Sequence, residues 1–520
     1  MIREIFEGNE KLQDKLYAYG FLFSNYGVEE KDYPFGGKWQ SEEIRDYKLL
    51  VAPQQKYYVC KKADLVLALI GHAYNPFTEQ YGERDILEDL SKKYVENKGE
   101  FFSEINELTG LFTLIAVTGE KIEVIGDATC MQTAYYGVIN KKVFVSTHSS
   151  LIGDLVGLKQ SKYVEKLRKY KFFRLFGNSL PGDLSAYDGI KRLIPNHLVR
   201  INGNLSIETE RFFAIRKEEI GKEEIVDKCS DILKKSMKAI ACKWKRPAIS
   251  LTGGCDSKTT LSVTNGLYDK FSYFSYVSVK KERYDANAAS EICKNLGLKH
   301  KIYDISENDA DFNNLQQVKE ILMQNGGRIL YSNPNDIRKR CYFIEIDDFD
   351  VEVKSWASEI GRAYYSKRFN GRKNFGKKIT PRKCTTLYKI FLHNRRLVRQ
   401  TDKVFKGFIQ KYFSKESGGI PWQEHFFWEF RVGSWNSMVI TGEHRFSFDI
   451  TIPYNNRKLL CLLLSANIDE RISDEIYKEI RKSNDRRIEE MGVSVTNVQH
   501  TSKRAKMENL YYAIHSHLLF

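Results

Sequence analysis

No stretch of the sequence approaches the ~18 consecutive apolar residues that a bilayer crossing needs, so no membrane-spanning helix is expected. There is no C-x-x-C pair. The nine cysteines are scattered and odd in number, which argues against a disulfide framework or a thiolate zinc site. Reduced thiols in a cytoplasmic protein, each a small buried hydrophobe, are the expectation. Met1-Ile2-Arg3-Glu4-Ile5 introduces acids at once, unlike a secretion signal. The G-x-x-x-x-G-K-[ST] spacing is missing as well, which excludes the Walker phosphate loop. Charge is not lacking. The net balance is +15, with basic residues gathered between Lys354 and Arg399 (Lys367-Arg368, Arg372-Lys373, Lys377-Lys378, Arg395-Arg396) and again at Lys503-Arg504. No recognisable nucleic-acid module accompanies this charge. A lysine-rich solvated surface, with a pocket for an anionic substrate, is therefore preferred over nucleic-acid binding. A chain of 520 residues with 42% hydrophobic content is globular and too long for one ordinary core, so two domains are expected.

What the chain does contain is Ser250-Leu251-Thr252-Gly253-Gly254-Cys255-Asp256-Ser257-Lys258. Arg246-Pro247-Ala248-Ile249 reads as the end of a buried strand, and Thr259-Thr260-Leu261-Ser262-Val263 as the first turns of a helix. A strand that stops at two glycines and restarts as a helix leaves several N–H groups unpaired at one spot, reinforced by the helix dipole. Such a spot suits a phosphate. Gly253 and Gly254 allow close approach, Thr252 and Ser257 offer hydroxyls, and Asp256 can hold a Mg²⁺ that bridges phosphates. The run T-G-G-C-D-S resembles the S-G-G-x-D-S loop of the ATP pyrophosphatases.

Up to about residue 205 the sequence is rich in short strands, expected at Tyr17–Phe23, Tyr47–Val51, Ala63–Ile70, Leu111–Val117, Ile122–Ile125 and Lys142–Ser146, with helices at Asp85–Glu96 and Ser161–Lys171. Residues 206–222 are polar and read as a connector. The helix Glu224–Ile240 follows, with Ile225, Cys229, Ile232, Leu233 and Met237 on one stripe. Beyond the glycine loop come a strand (Phe271–Val279), a helix opening at Tyr284 and ending at Gly297, and a strand at Lys299–Tyr303. Asp348–Lys354 is a further strand, Thr385–Phe413 has helical spacing, and Leu459–Leu464 reads as a helix. The strand–helix alternation implies a doubly wound parallel sheet with ligands at the carboxyl ends of its strands.

The order of these segments is similar to that of the asparagine synthetase family. The N-terminal half carries Leu67-Ala68-Leu69-Ile70-Gly71-His72-Ala73-Tyr74-Asn75, then Leu108-Thr109-Gly110-Leu111-Phe112, Gly126-Asp127, Tyr135-Tyr136-Gly137 and Arg192-Leu193-Ile194-Pro195-Asn196-His197. The C-terminal half carries the T-G-G-C-D-S loop and a run from Glu443 to Tyr454 that resembles E-x-R-x-P-F-L-D. The resemblance implies an α/β protein. Residues 1–205 would form an α+β Ntn-hydrolase-like sandwich of the glutamine amidotransferase type. After the 206–222 connector, residues 223–520 would form a doubly wound ATP-pyrophosphatase domain with a helical C-terminal part.

One departure matters. The family's glutaminase uses a Cys at the mature N-terminus. Here position 2 is Ile2 and the nearest thiol is Cys60, so no glutamine hydrolysis is expected. The β-lactam synthetases and lasso-peptide cyclases, which close amide rings, share this loss. By resemblance, the backbone of Ser275–Val277 would face adenine. Asp285 would lie near ATP or the acceptor, a helix-start acid being the equally good structural reading. Ser355-Trp356-Ala357-Ser358-Glu359 replaces the family's glycine-rich acidic loop, leaving Glu359 as the second metal acid beside Asp256. Arg362 is expected to neutralise phosphate or carboxylate charge, or else to form a surface ion pair. Lys478 is the expected pyrophosphate-contacting lysine. The implied activity is an ATP- and Mg²⁺-dependent, AMP-forming amide ligase. It would join a small-molecule or peptide carboxylate to ammonia or an amine, in a cytoplasmic chain that can form a homodimer. A ring-closing cyclase and a catalytically degenerate binding or regulatory homologue are the alternatives.

Overall fold

The computed structural model describes residues 9–29, 31, 34–176, 178–329, 332–413, 418–493 and 503–519. Twelve strands precede residue 212. They are β1 (Phe21–Ser24), β2 (Gln40–Ile44), β3 (Tyr47–Val51), β4 (Tyr57–Lys62), β5 (Leu65–Tyr74), β6 (Thr109–Thr118), β7 (Lys121–Gly126), β8 (Tyr135–Ile139), β9 (Lys142–Ser146), β10 (Lys191–Arg192), β11 (His197–Ile201) and β12 (Ile207–Arg211). They form two antiparallel six-stranded sheets, ordered β10-β8-β9-β1-β3-β2 and β12-β11-β7-β6-β5-β4. Strand β5 shows why they stack. Its Val66, Ala68 and Ile70 meet Phe21, Phe23 and Val51 of the other sheet. Leu65, Leu67 and Leu69 point the opposite way, against Ile86, Leu87 and Leu90 of helix α1 (Glu83–Glu96). Alternation along the strand thus buries both faces, one against a sheet and one against a helix.

The stretch read as connector begins with β12, which pairs with β11 along its whole length. Helix α2 (Lys222–Lys243) then leads to five parallel strands: β13 (Pro247–Ser250), β14 (Ser272–Val277), β15 (His300–Asp304), β16 (Val351–Val353) and β17 (Asp449–Thr451). Their order is β15-β14-β13-β16-β17. Neighbouring residues face opposite layers. Ile249 and Tyr273 pack with α2, α3 (Cys255–Ser262) and α4 (Glu282–Asn295), while Ala248 and Phe274 pack with Phe343 and Phe349. The expected α/β class is observed, an α+β sandwich followed by a doubly wound parallel sheet and a helical C-terminal part.

Thr385–Phe413 is two helices rather than one, Pro381–Tyr388 and α5 (Arg395–Tyr412). The break comes at Lys389, whose backbone is extended, and Asn394 restarts the helix by accepting hydrogen bonds from Arg396 and Leu397 N–H groups. A short helix α6 (Trp422–Phe426) then continues into a wider π-type turn over Phe427–Asn436. The later helices used below are α7 (Arg457–Ser465) and α8 (Glu475–Glu490).

Candidate active site

The chain leaves β13 to build β14 and β15 on one side and returns to build β16 and β17 on the other. The crevice between the carboxyl ends of β13 and β16 is therefore the switch point at which doubly wound sheets bind ligands. The glycine loop follows β13, and the turn from Ser355 to Arg362 follows β16, so the two meet there.

Within the loop, Ser257 Oγ donates to Thr252 O at 3.0 Å and accepts Thr252 N–H at 3.2 Å. Thr252 Oγ1 lies 3.0 Å from Ser257 Oγ and accepts Gly254 N–H at 3.1 Å. These two hydroxyls set the bend. Helix α3 starts at Cys255 behind Gly254 with no side-chain cap, so its amino-terminal N–H groups face the crevice.

From the other side, Ser358 Oγ donates to Asp256 Oδ1 at 2.8 Å, and Arg362 Nη1 lies 2.5 Å from Asp256 Oδ2. Arg362 also grips Asp474 with two bonds, of 2.8 and 2.9 Å, and Lys367 Nζ lies 2.5 Å from the same carboxylate. Burial works against charge at Asp474, but Arg362 and Lys367 outweigh it and hold the carboxyl below its ordinary range. Burial likewise works against the Arg362 cation, and the two aspartates more than offset it. Glu359 is the opposite case. Burial and then the charge of Asp256 push its carboxyl up to about 7, with Arg362 pulling the other way. Its Oε2 is buried with no hydrogen-bond partner among the described residues.

Two carboxylates that feel each other's charge, one with an orphaned oxygen, fit a hard divalent cation. No group of three or more His, Cys, Asp or Glu side chains placed to hold a metal ion occurs among the described residues. A Mg²⁺ held by Asp256 and Glu359 would therefore complete its shell with phosphate oxygens and water. Ala357 has a left-handed backbone (φ +71°) and is fully buried. The turn thus takes a conformation that glycine favours, at the steric cost of a Cβ, about 1–2 kcal/mol.

The remaining expected residues divide. Asp285 sits in the first turn of α4. Burial raises its carboxyl while the Gly253 N–H steadies it, which places it at the loop. Val277 ends β14 and lines a 380 Å³ cleft together with Ser278, Arg283 and Asp304. Ser275 is used as a clip: its Oγ donates to Leu251 O at 2.7 Å and lies 3.0 Å from His300 Nε2. Lys478 lies on the first turn of α8, its ammonium 3.9 Å from Glu475 of the same helix. The α8 side chains that reach the site are Tyr477, which donates to Ser358 O at 2.6 Å, and Arg481, which donates to Thr259 Oγ1 at 2.9 Å. Ser358, Lys367, Asp474, Tyr477 and Arg481 join the site without a motif of their own. The one local signal is Asp474, in a left-handed conformation (φ +60°) at the start of α8.

No protein-family model matches the sequence, and no curated protein does. Among solved structures, the chain is similar to glutamine PRPP amidotransferase from B. subtilis complexed with ADP and GMP, at 12% identity over 70% of this chain and 74% of that one (TM-score 0.24). It is similar to glutamine-dependent NAD⁺ synthetase from Acinetobacter baumannii in complex with ADP, at 10% identity over 36% and 38% (TM-score 0.18). A third is the U34-tRNA thiolase of Methanococcus maripaludis, at 11% identity over 52% and 89% (TM-score 0.20). At these TM-scores the likenesses carry no argument about what the chain does.

Proposed function

We propose that the chain is an ATP-dependent, AMP-forming amide ligase of the asparagine synthetase type, without glutaminase activity of its own. The observation that carries this reading is the meeting of the T-G-G-C-D-S bend with Asp256 and Glu359 at the switch point of a parallel sheet. The bend and its hydroxyls would seat the phosphates, and Asp256 and Glu359 would hold Mg²⁺, which would supply charge neutralisation for pyrophosphate. A substrate carboxylate oxygen bonds to the α-phosphorus as the bond to pyrophosphate breaks. An amine nitrogen or ammonia then bonds to the acyl carbon, loses a proton and expels AMP. Arg362, held between Asp256 and Asp474, would add positive charge beside that loop.

Ile2 lies outside the described residues. The first strand begins at Phe21, with residues 9–20 of the chain running into it, so no free α-amine stands at its head. The half-exposed Cys60 is in the middle of β4. Both observations support a nitrogen donor other than glutamine hydrolysed on this chain.

The Arg362–Asp256 ion pair and the lack of glycine from Ser355 to Glu359 favour a second reading, a degenerate homologue that binds nucleotide without turnover. Pyrophosphate release with a panel of carboxylic acids separates the two. The ligase reading expects Mg²⁺-dependent release that Asp256→Asn reduces by at least a hundredfold. ATP binding with no release from any acid supports the binding protein. No ATP binding at all discards both.

A further inference from the structure

A cavity bordering the basic region lies away from the glycine loop. It has a volume of 510 Å³ and lies between the chain after β12, the loop 373–379, the end of α5 and the start of α6. That volume is typical of sites for small organic ligands, which span about 300–1,000 Å³.

The cavity wall is built in advance. The Trp422 indole N–H donates to Gly376 O at 2.9 Å, and Lys383 Nζ donates to Phe375 O at 2.7 Å. The first bond fastens the 373–379 loop to α6 and the second fastens it to the helix Pro381–Tyr388. Trp422, Phe413 and Ile215 supply apolar surface. At the floor is Gln423, only 1% exposed, with its amide nitrogen lacking any hydrogen-bond partner among the described residues. A buried donor left without a partner is unfavourable, so an acceptor is the missing piece.

The charge around it has one sign. Among the described residues, Lys377 and Lys378 are exposed at the mouth and form no ion pair, and no acid lines the cavity. Arg211 adds no free cation, because its guanidinium is held by Glu429 at 2.6 and 2.8 Å. Next along α6, Glu424 turns away from the cavity to pair with Arg471 at 2.6 Å, and Arg471 in turn donates to the carbonyls of Ile360 and Gly361. The cavity and the glycine-loop crevice thus lie on opposite sides of one helix.

We infer that this cavity is a second ligand site, for a small organic anion with a planar apolar body. The anionic group meets the Gln423 amide and the two lysines, and the body lies against Trp422 and Phe413. The inference does not depend on the ligase reading.

The full chain titrated with 1-anilinonaphthalene-8-sulfonate, an apolar planar anion, tests it. One saturable site is expected, weakened at least tenfold by Lys377→Glu with Lys378→Glu, and by Gln423→Leu. The uncharged analogue N-phenyl-1-naphthylamine is expected to bind at least tenfold more weakly than the sulfonate. The double lysine variant changes only exposed positions and keeps the test independent of folding. No saturable binding, an unchanged affinity in that variant, or equal affinity for the uncharged analogue would each overturn the inference.

Discussion

Arg362 is the residue on which the candidate site turns. It holds two carboxylates from separate elements, Asp256 of the loop and Asp474 at the head of α8. A planar five-donor fork can do this, and a single ammonium cannot. Under the ligase reading, Arg362→Ala is expected to lower kcat/KM for ATP in pyrophosphate release by roughly 10²–10³, the scale of losing a preorganised charge partner. Arg362→Lys is expected to recover only part of it. An alanine variant with unchanged kcat/KM would reduce Arg362 to a structural tie. Local sequence makes Asp256 and the two glycines legible, since strand, turn and helix signals adjoin them. It does not reveal Asp474, Lys367 or Ser358, whose neighbours in the chain do not announce their neighbours in space.

At the scale of elements, two glycines make opposite predictions. Gly433, in the π-type turn, has no room: a Cβ there would lie 2.6 Å from the ring of Pro195 in the N-terminal half. Gly433→Ala is expected to destabilise by about 1–3 kcal/mol, the cost of overpacking a close contact. Gly407, inside α5, has nothing within 4 Å and an ordinary backbone. Gly407→Ala is expected to stabilise by about 0.5–1 kcal/mol, because alanine loses less entropy in a helix. Chemical denaturation of the two variants checks both signs. The same contrast explains which elements show in the sequence. Strands β5 and β6 are legible because both faces are buried and the run is nearly all apolar. The edge strand β2 is mostly exposed and polar, and the edge strand β4 has only four apolar residues, none fully buried, before two exposed lysines, so neither carries such a run.

Across the whole molecule, the two halves share their packing. Arg457 of α7, fully buried, donates to Gly126 O and Asp127 O, and Asn455 donates to Asp127 Oδ1. Tyr74, Leu111 and Met131 belong to the same core as Leu261 and Leu459. Buried histidines make this packing sensitive to acid. Burial, aided by the charge of Arg445, depresses His148 to about 3, and both ring nitrogens lack hydrogen-bond partners among the described residues. Between the ordinary histidine value and about 3, the unfolded chain binds a proton that the folded one refuses. Stability therefore falls as pH drops below about 6.5, by up to about 1.4 kcal/mol per pH unit. Thermal melts from pH 8 to pH 4 are expected to show a steeper loss for the native chain than for His148→Phe. Parallel curves would refute this.

By itself, the sequence determines the buried strands, the strand–helix alternation of the parallel sheet, and the glycine bend with its hydroxyls and aspartate. Each of these depends on residues adjacent in the chain, where periodicity and turn chemistry act. Only the tertiary structure decides that Glu359, Arg362 and Asp474 converge on that bend, that Lys478 faces Glu475, and that Gln423 lines a cavity mouthed by two lysines. Those relations are made by strand order and helix packing, which join residues far apart along the chain.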